Sequence, residues 1–135
     1  EPDRSMKTFP SSGSVIPAHT TCIGKILFAN MSEQKLEEFL ADYRFEALTA
    51  NSITSRERFL EELARVREEG ISYDNEENFT GMAGIGGPIF NHAGQVIAAF
   101  AVTGDADHLR REREAIISEI RFTSREISSQ FGWKG

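Results

Sequence analysis

Three carboxylates, Asp74, Glu76 and Glu77, open a stretch that then carries Gly81, Gly84, Gly86 and Gly87 among apolar residues and closes on Pro88-Ile89-Phe90. Such a stretch can serve as an acid cluster, a phosphate-binding glycine loop or the wall of a small-molecule pocket. Acid–base work needs carboxylates that face one another in a cleft, with their pKa values pushed apart. On an extended chain Asp74 and Glu76 share one face and Glu77 points the other way. The spacing therefore favours a solvated turn between two strands, where carboxylates are ordinarily found. A metal would want more oxygen ligands or a nearby histidine. His19, His92 and His108 are scattered, with no HxH or HExxH, so neither a metal nor another cofactor is expected. Gly84-Ile85-Gly86-Gly87 is not GxGxxG, and no helix is expected after it, so the usual phosphate cradle is missing. Glycine inside a strand marks a bulge or a close approach to the backbone. The sequence leaves open whether a helix or a ligand makes that approach.

Cys22 is the only cysteine, and His19 lies three residues before it. A catalytic thiolate needs an activating base and an oxyanion site. A lone cysteine at a helix start is more often a small buried apolar residue. No serine sits in a GxSxG elbow.

The elements that must position these groups follow from period and punctuation. Asp3 to Phe9 reads as a short strand and Pro10 to Ser14 as a loop. Val15-Ile16-Pro17 leads into an expected helix from Ala18 to about Asn30, with Ile23, Ile26 and Leu27 on one face. Ser32 is the expected cap of a second helix that turns Leu36, Phe39 and Leu40 inward. Thr54-Ser55-Arg56-Glu57 has the form of a capping box. The helix after it is expected to bury Phe59, Leu60, Leu63 and Val66 and to end at Gly70. Ile71 to Asp74 reads as a short strand, and the glycine-rich segment as an extended run to Phe90. Asn91-His92-Ala93-Gly94 is a hairpin turn. Gln95 to Thr103 is the partner strand, apolar enough to be covered on both faces. After Gly104-Asp105 a long helix runs from about Asp107 to Gln130, with Leu109, Ile116, Ile117, Ile120, Ile127 and Phe131 as its apolar stripe. Gly132 to Gly135 reads as a frayed tail. The order predicts an α+β domain, an antiparallel sheet with helices packed on it.

The chain has 135 residues, enough for one domain with one core. Its net charge is −6 and its pI about 5.1. Glu112 interrupts the densest basic run, His108 to Arg113, which argues against DNA binding by this segment. No apolar run approaches the roughly 20 residues of a membrane helix, and no secretory signal is visible. One cysteine permits no internal disulfide, and a reducing cytoplasm is the expected compartment. The long helix is a reasonable surface for self-association.

Several segments match a known pattern. Pro17-Ala18-His19-Thr20-Thr21-Cys22-Ile23-Gly24-Lys25 resembles the PLHATAxGKAxLA segment of IclR-type transcriptional regulators. Thr54 to Gly70 looks like that family's helix ending in vRxxGya. Asp74-Asn75-Glu76-Glu77-Asn78, Gly81, Pro88-Ile89-Phe90 and Gly94 resemble its DxEEnxxGxxCxAaPvfdxxGxv. Ala98 to Gly104 resembles aAlSvSGp. The likeness runs through essentially the whole chain, in order and with matching gaps.

The resemblance implies a C-terminal effector-binding domain over residues 1–135, with a GAF-like (profilin-like) α+β fold and no catalysis. It implies that DNA is bound through a separate N-terminal winged helix-turn-helix that is absent here, together with the opening strands of the effector domain. It further implies a small organic acid as effector and a homo-oligomer, dimer or tetramer. Carried over residue by residue, the family pocket falls on Ile16, Cys22, Ile23, Asp74, Gly84, Gly86, Ala101 and Thr103. Glu76 and Glu77 are left as structural or rim residues. Gly84 stands where the family usually has cysteine, and Ala101 and Thr103 where it has serines. The loss of polar groups favours a larger, partly apolar or aromatic acid over a two- or three-carbon oxoacid. Two other readings remain: a small cytoplasmic enzyme using Cys22 and His19, or Asp74, and a GAF-like interaction module with a vestigial pocket.

Overall fold

The computed structural model describes residues 16–135. The expected strand from Asp3 to Phe9 and the loop after it lie outside the described residues. A 3-10 turn, Ala18–Thr20, precedes helix α1, Cys22–Ala29. Helix α2 is Glu33–Leu40 and α3 is Arg56–Glu69. Three antiparallel strands follow, β1 Ser72–Asn75, β2 Met82–Phe90 and β3 Val96–Asp105, in the order β1-β2-β3. Helices α4, Ala106–Arg111, and α5, Arg113–Gln130, close the chain. This is the α+β arrangement expected. No helix among the described residues is long and apolar enough to cross a membrane.

Side chains of paired residues in adjacent antiparallel strands share a face, so the register sorts the sheet into two sides. Asp74 pairs with Gly84 and Gly84 with Thr103; Ser72 pairs with Gly86 and Gly86 with Ala101. These two rows face α1. Tyr73 and Ile85 belong to the opposite face, where Ile85 joins Ile71 and Ile120 in a buried cluster with Tyr73 packed against it. A larger core lies between α1 and α3, built from Ile26, Phe28, Leu40, Phe59, Leu63 and Val66.

Local signals were mostly placed as read. Ser32 accepts from the Lys35 amide and caps α2. Gly70 ends α3 in the left-handed region at φ 77°, where a side chain would be strained. The Asn91 side chain accepts from the amides of Ala93 and Gln95, and Gly94 completes the turn at φ 78°.

Six expectations are corrected. The helix from Ala18 is broken at Thr21, which is extended at φ −117° and caps α1. The α3 cap is Ser55, not Thr54, and its hydroxyl accepts from Arg58. The long C-terminal helix is two helices divided at Glu112, the first capped by the Asp105 carboxylate. Strand β3 is not covered on both faces: it lies at one edge of the three, and Ile97 and Val102 are 47% and 41% exposed. The helices lie chiefly over β2, whose central residues are buried. Apolar stripes were also drawn too wide, since Ile23, Leu27, Phe39 and Phe131 are exposed. The tail is anchored rather than frayed: the Trp133 amide donates to Ser128, and its ring stacks on Phe90 at 4.7 Å.

Candidate functional site

The start of α1 is held by its own sequence. The Thr21 hydroxyl accepts from the Gly24 amide at 2.9 Å and donates to the Ala18 carbonyl at 3.0 Å. The 3-10 turn thus folds back over the first helical turn. A β-carbon at Gly24 would lie 2.1 Å from the Ala18 carbonyl oxygen, so only glycine fits there. The Lys25 amide bonds the Thr21 carbonyl. Of the orphan donors that a helix start exposes, the amides of Cys22 and Ile23 have no partner among the described residues.

Beneath that start sits a cavity of about 280 Å³. Ile16, Cys22, Ile23, Asp74, Ala101 and Thr103 line it, six of the eight residues expected from the sequence. Gly84 and Gly86 do not line it. They lie under Cys22: a β-carbon at Gly84 would stand 2.9 Å from the Cys22 Sγ, and one at Gly86 2.8 Å from the Cys22 Cβ. What approaches the glycines is the helix, and the sulfur fills the volume that Gly84 leaves open. Thr21, Asn78, Phe79, Met82 and Ala83 complete the lining and were missed. Asn78 belongs to the same DNEEN run as Asp74, and Thr21 to the same motif segment as Cys22 and Ile23, so both were legible as neighbours of expected residues. Asn78 donates to the Thr20 hydroxyl at 2.8 Å, which ties the rim to the 3-10 turn.

The acid cluster is not a solvated turn. Glu76 leaves the strand at φ 55°, in the left-handed region. That reversal brings Glu77 back beside Asp74 instead of across the strand from it. The Glu77 amide donates to Asp74 Oδ1 at 2.8 Å, and Asp74 and Glu77 are both buried. Glu76 alone stays at the surface, where it accepts from the Gly81 amide and pairs with Arg110. The partner of Glu77 is Lys25, which the sequence reading passed over. Its ammonium, fully buried, donates to both Glu77 oxygens at 2.8 and 2.9 Å, to Glu62 at 2.9 Å and to the Tyr73 carbonyl at 2.7 Å. All three ammonium protons therefore find acceptors, as a buried charge requires.

Burial, with a further contribution from the charge of Glu77, lifts the Asp74 carboxyl to about 6. Burial and the nearby Asp74 push the Cys22 thiol to about 12, so it stays protonated at neutral pH. His19 does not supply a base for it. Its Nε2 donates to the Glu46 carbonyl at 3.0 Å, and its Nδ1 accepts from the Tyr43 hydroxyl at 2.8 Å. Both ring nitrogens are engaged, and burial lowers the histidine pKa. The ring packs edge-on against Tyr43, Phe45 and Phe59 as part of the core. Among the described residues no group of three or more His, Cys, Asp or Glu is placed to hold a metal ion.

The arrangement offers a small, largely apolar chamber with a few polar groups: two helix-start amides, the Thr21 and Thr103 hydroxyls, the Asn78 amide and one carboxyl. Comparison with known proteins places it in context. The family model for the bacterial transcriptional regulator IclR C-terminal domain matches residues 1–129. The transcriptional regulator XynR of Escherichia coli K12 is 37% identical over 91 residues, which are 67% of this chain and 36% of XynR. The crystal structure of the C-terminal domain of Escherichia coli KdgR superposes with a TM-score of 0.80 at 32% identity, over 87% of this chain and 72% of that one. The inducer-binding domain of a PobR double mutant from Acinetobacter, in complex with 3-hydroxybenzoic acid, superposes with a TM-score of 0.79 at 26% identity, over 90% of this chain and 74% of that one. The chain spans less than half the length of the curated regulators it matches. With a family model matched across almost all of its residues and a GAF-like α+β fold shared with solved members, the chain belongs to the IclR family of bacterial transcriptional regulators, in the part that forms their C-terminal domain.

Proposed function

We propose that the chain is a ligand-sensing, effector-binding domain, and that the cavity under the start of α1 holds an organic acid with an apolar or aromatic body. The observation that carries this reading is the lining itself. Ile16, Ile23, Phe79, Met82, Ala83 and Ala101 give an apolar surround, broken by Thr21, Asp74, Asn78 and Thr103 and by the amides of Cys22 and Ile23, which have no partner among the described residues. Helix-start amides favour a carboxylate. At about 280 Å³, the cavity is at the small end of ligand pockets, which suits a single ring or a short branched chain. The aromatic acid bound to the PobR domain supports the same class of ligand. The domain works without catalysis, in the cytoplasm and as a homo-oligomer. Its effector binds one arrangement of subunits better than another and so sets how a separate winged helix-turn-helix domain meets DNA.

A thermal-denaturation screen of the chain against aliphatic and aromatic acids tests this. A ligand that binds only the folded state at a hundredfold excess over its Kd stabilises it by about 2.7 kcal/mol. A shift confined to aromatic or branched acids is the expected result. Tight binding of glyoxylate or pyruvate, with none of any aromatic acid, would overturn the ligand class. No shift with any acid would leave a GAF-like interaction module with a vestigial pocket as the reading.

A further inference from the structure

A second recess, of about 510 Å³, runs along the outer edge of β1. One wall is α3 and the other is α4 with the first residue of α5. Arg58 and Arg65 line it from α3, Arg110 from α4 and Arg113 from α5. On α3 the residues Arg58, Glu62, Arg65 and Glu69 follow at steps of four, three and four, so they form one stripe toward the recess. Tyr73 forms part of the floor, on the sheet face opposite the candidate effector cavity. The guanidinium of Arg113 lies 4.3 Å from its ring centroid and that of Arg65 4.9 Å.

The edge of β1 is already sealed against an added strand. Lys25 holds the Tyr73 carbonyl, the Asn51 side chain donates to the Asn75 carbonyl, and the Asn75 amide donates to Glu77. Of the acids that line the recess, Glu62 is engaged by Lys25 and Arg65, Glu69 by Arg65 and Glu77 by Lys25, while Asp74 accepts from the Glu77 amide. Arg110 pairs with Glu76 and Asp107. Arg58 and Arg113 have no carboxylate within ion-pair distance among the described residues. The open cationic donors in the recess are therefore the guanidinium N–H groups of Arg58 and Arg113. Forked guanidinium donors match the geometry of phosphate oxygens, and the Tyr73 ring fixes the plane of one fork.

We propose that this recess is a second ligand site, which takes a small molecule bearing a phosphate-type dianion on Arg58 and Arg113. It is independent of the acid site, although Asp74 and Ala83 line both and the two share a wall.

Inorganic phosphate is the probe. It is titrated against the chain at constant ionic strength, with binding followed by phosphorus-NMR line width and by melting temperature. Saturable binding is expected, weakened at least about tenfold in Arg113→Gln and in Arg58→Gln and unchanged in the remote Arg44→Gln. Both sites are exposed, so the variants keep the fold, and their melting without phosphate checks this. Non-saturating stabilisation, or equal binding by all four proteins, would reduce the effect to salt exclusion from the surface and overturn the proposal. Binding of organic acids in the other cavity stays intact in Arg58→Gln, so the two readings fail separately.

Discussion

A β-carbon built on Gly84 would stand 2.9 Å from the Sγ of Cys22, so the first residue of α1 rests on the middle of β2. The contact explains why two glycines recur at alternate positions of a strand. Gly84 receives the sulfur and Gly86 the Cys22 β-carbon, and the Ser72 hydroxyl beside them holds the Cys22 carbonyl at 2.8 Å. The helix start is thereby held at a fixed height over the sheet, and the cavity that Cys22 and Ile23 line keeps its shape.

The two glycines should respond differently to relief. Gly84→Ala and Gly86→Ala are each expected to cost about 1–3 kcal/mol, the range for overpacking a filled core. Cys22→Ala removes the sulfur that meets Gly84 but not the β-carbon that meets Gly86. Adding it should recover much of the loss in Gly84→Ala and little in Gly86→Ala. Chemical denaturation of the three single variants, the two double variants and the parent measures the coupling. Equal recovery in both pairs would show that the contact is not what fixes the glycines.

Lys25 should be the most sensitive polar position. Lys25→Met leaves Glu77 buried without its partner, a change that typically costs about 3–5 kcal/mol. Lys25→Met with Glu77→Gln removes both charges and should recover most of that loss. Denaturant midpoints decide. If the double variant is no more stable than the single one, the ion pair is not the reason that Lys25 is buried.

The Cys22 thiol should be inert in the folded chain. It is buried, and at about 12 its pKa leaves almost no thiolate at pH 8. Iodoacetamide should modify it only on unfolding, at a rate that follows the population of open molecules. Rapid alkylation of the native chain at neutral pH would revive a nucleophilic role for it.

Much of this was legible in the sequence because it is local. The Ser32 cap, the Gly70 stop and the Asn91–Gly94 turn each follow from residues a few positions apart. Six cavity residues were found through motif likeness, which encodes tertiary placement that periodicity does not. The failures are the non-local terms. Lys25 meets Glu62, Tyr73 and Glu77 from 37 to 52 positions away, and no spacing rule reveals that pairing. The reading of Glu76 and Glu77 assumed a regular strand, and the positive φ at Glu76 reversed their faces. The break at Glu112 has no proline or glycine to announce it, and at Thr21 the one cue, Gly24, also fits a helix interior, so a single helix is expected through each.

Asp74 should make both stability and ligand binding depend on pH. Lys25 and Glu77 are the charged groups that face it, with the Cys22 thiol beside them. Folded, its carboxyl keeps a proton up to about pH 6; its ordinary value is 3.8. Between those values the folded state binds more protons than the unfolded one, so stability from this group falls as pH rises through the window and stays lower above it. Asp74→Asn keeps an oxygen for the Glu77 amide and removes the charge. It should be more stable than the parent by about 1–3 kcal/mol at pH 7, with the difference vanishing near pH 4. The same sign governs the effector. A carboxylate entering the cavity favours the protonated form of Asp74, so acid binding should tighten from pH 8 to pH 6 and take up a proton. Calorimetry in buffers of different ionisation enthalpy counts that proton. Parallel stability profiles for the parent and Asp74→Asn, with pH-independent binding in both, would show that the carboxyl plays neither part.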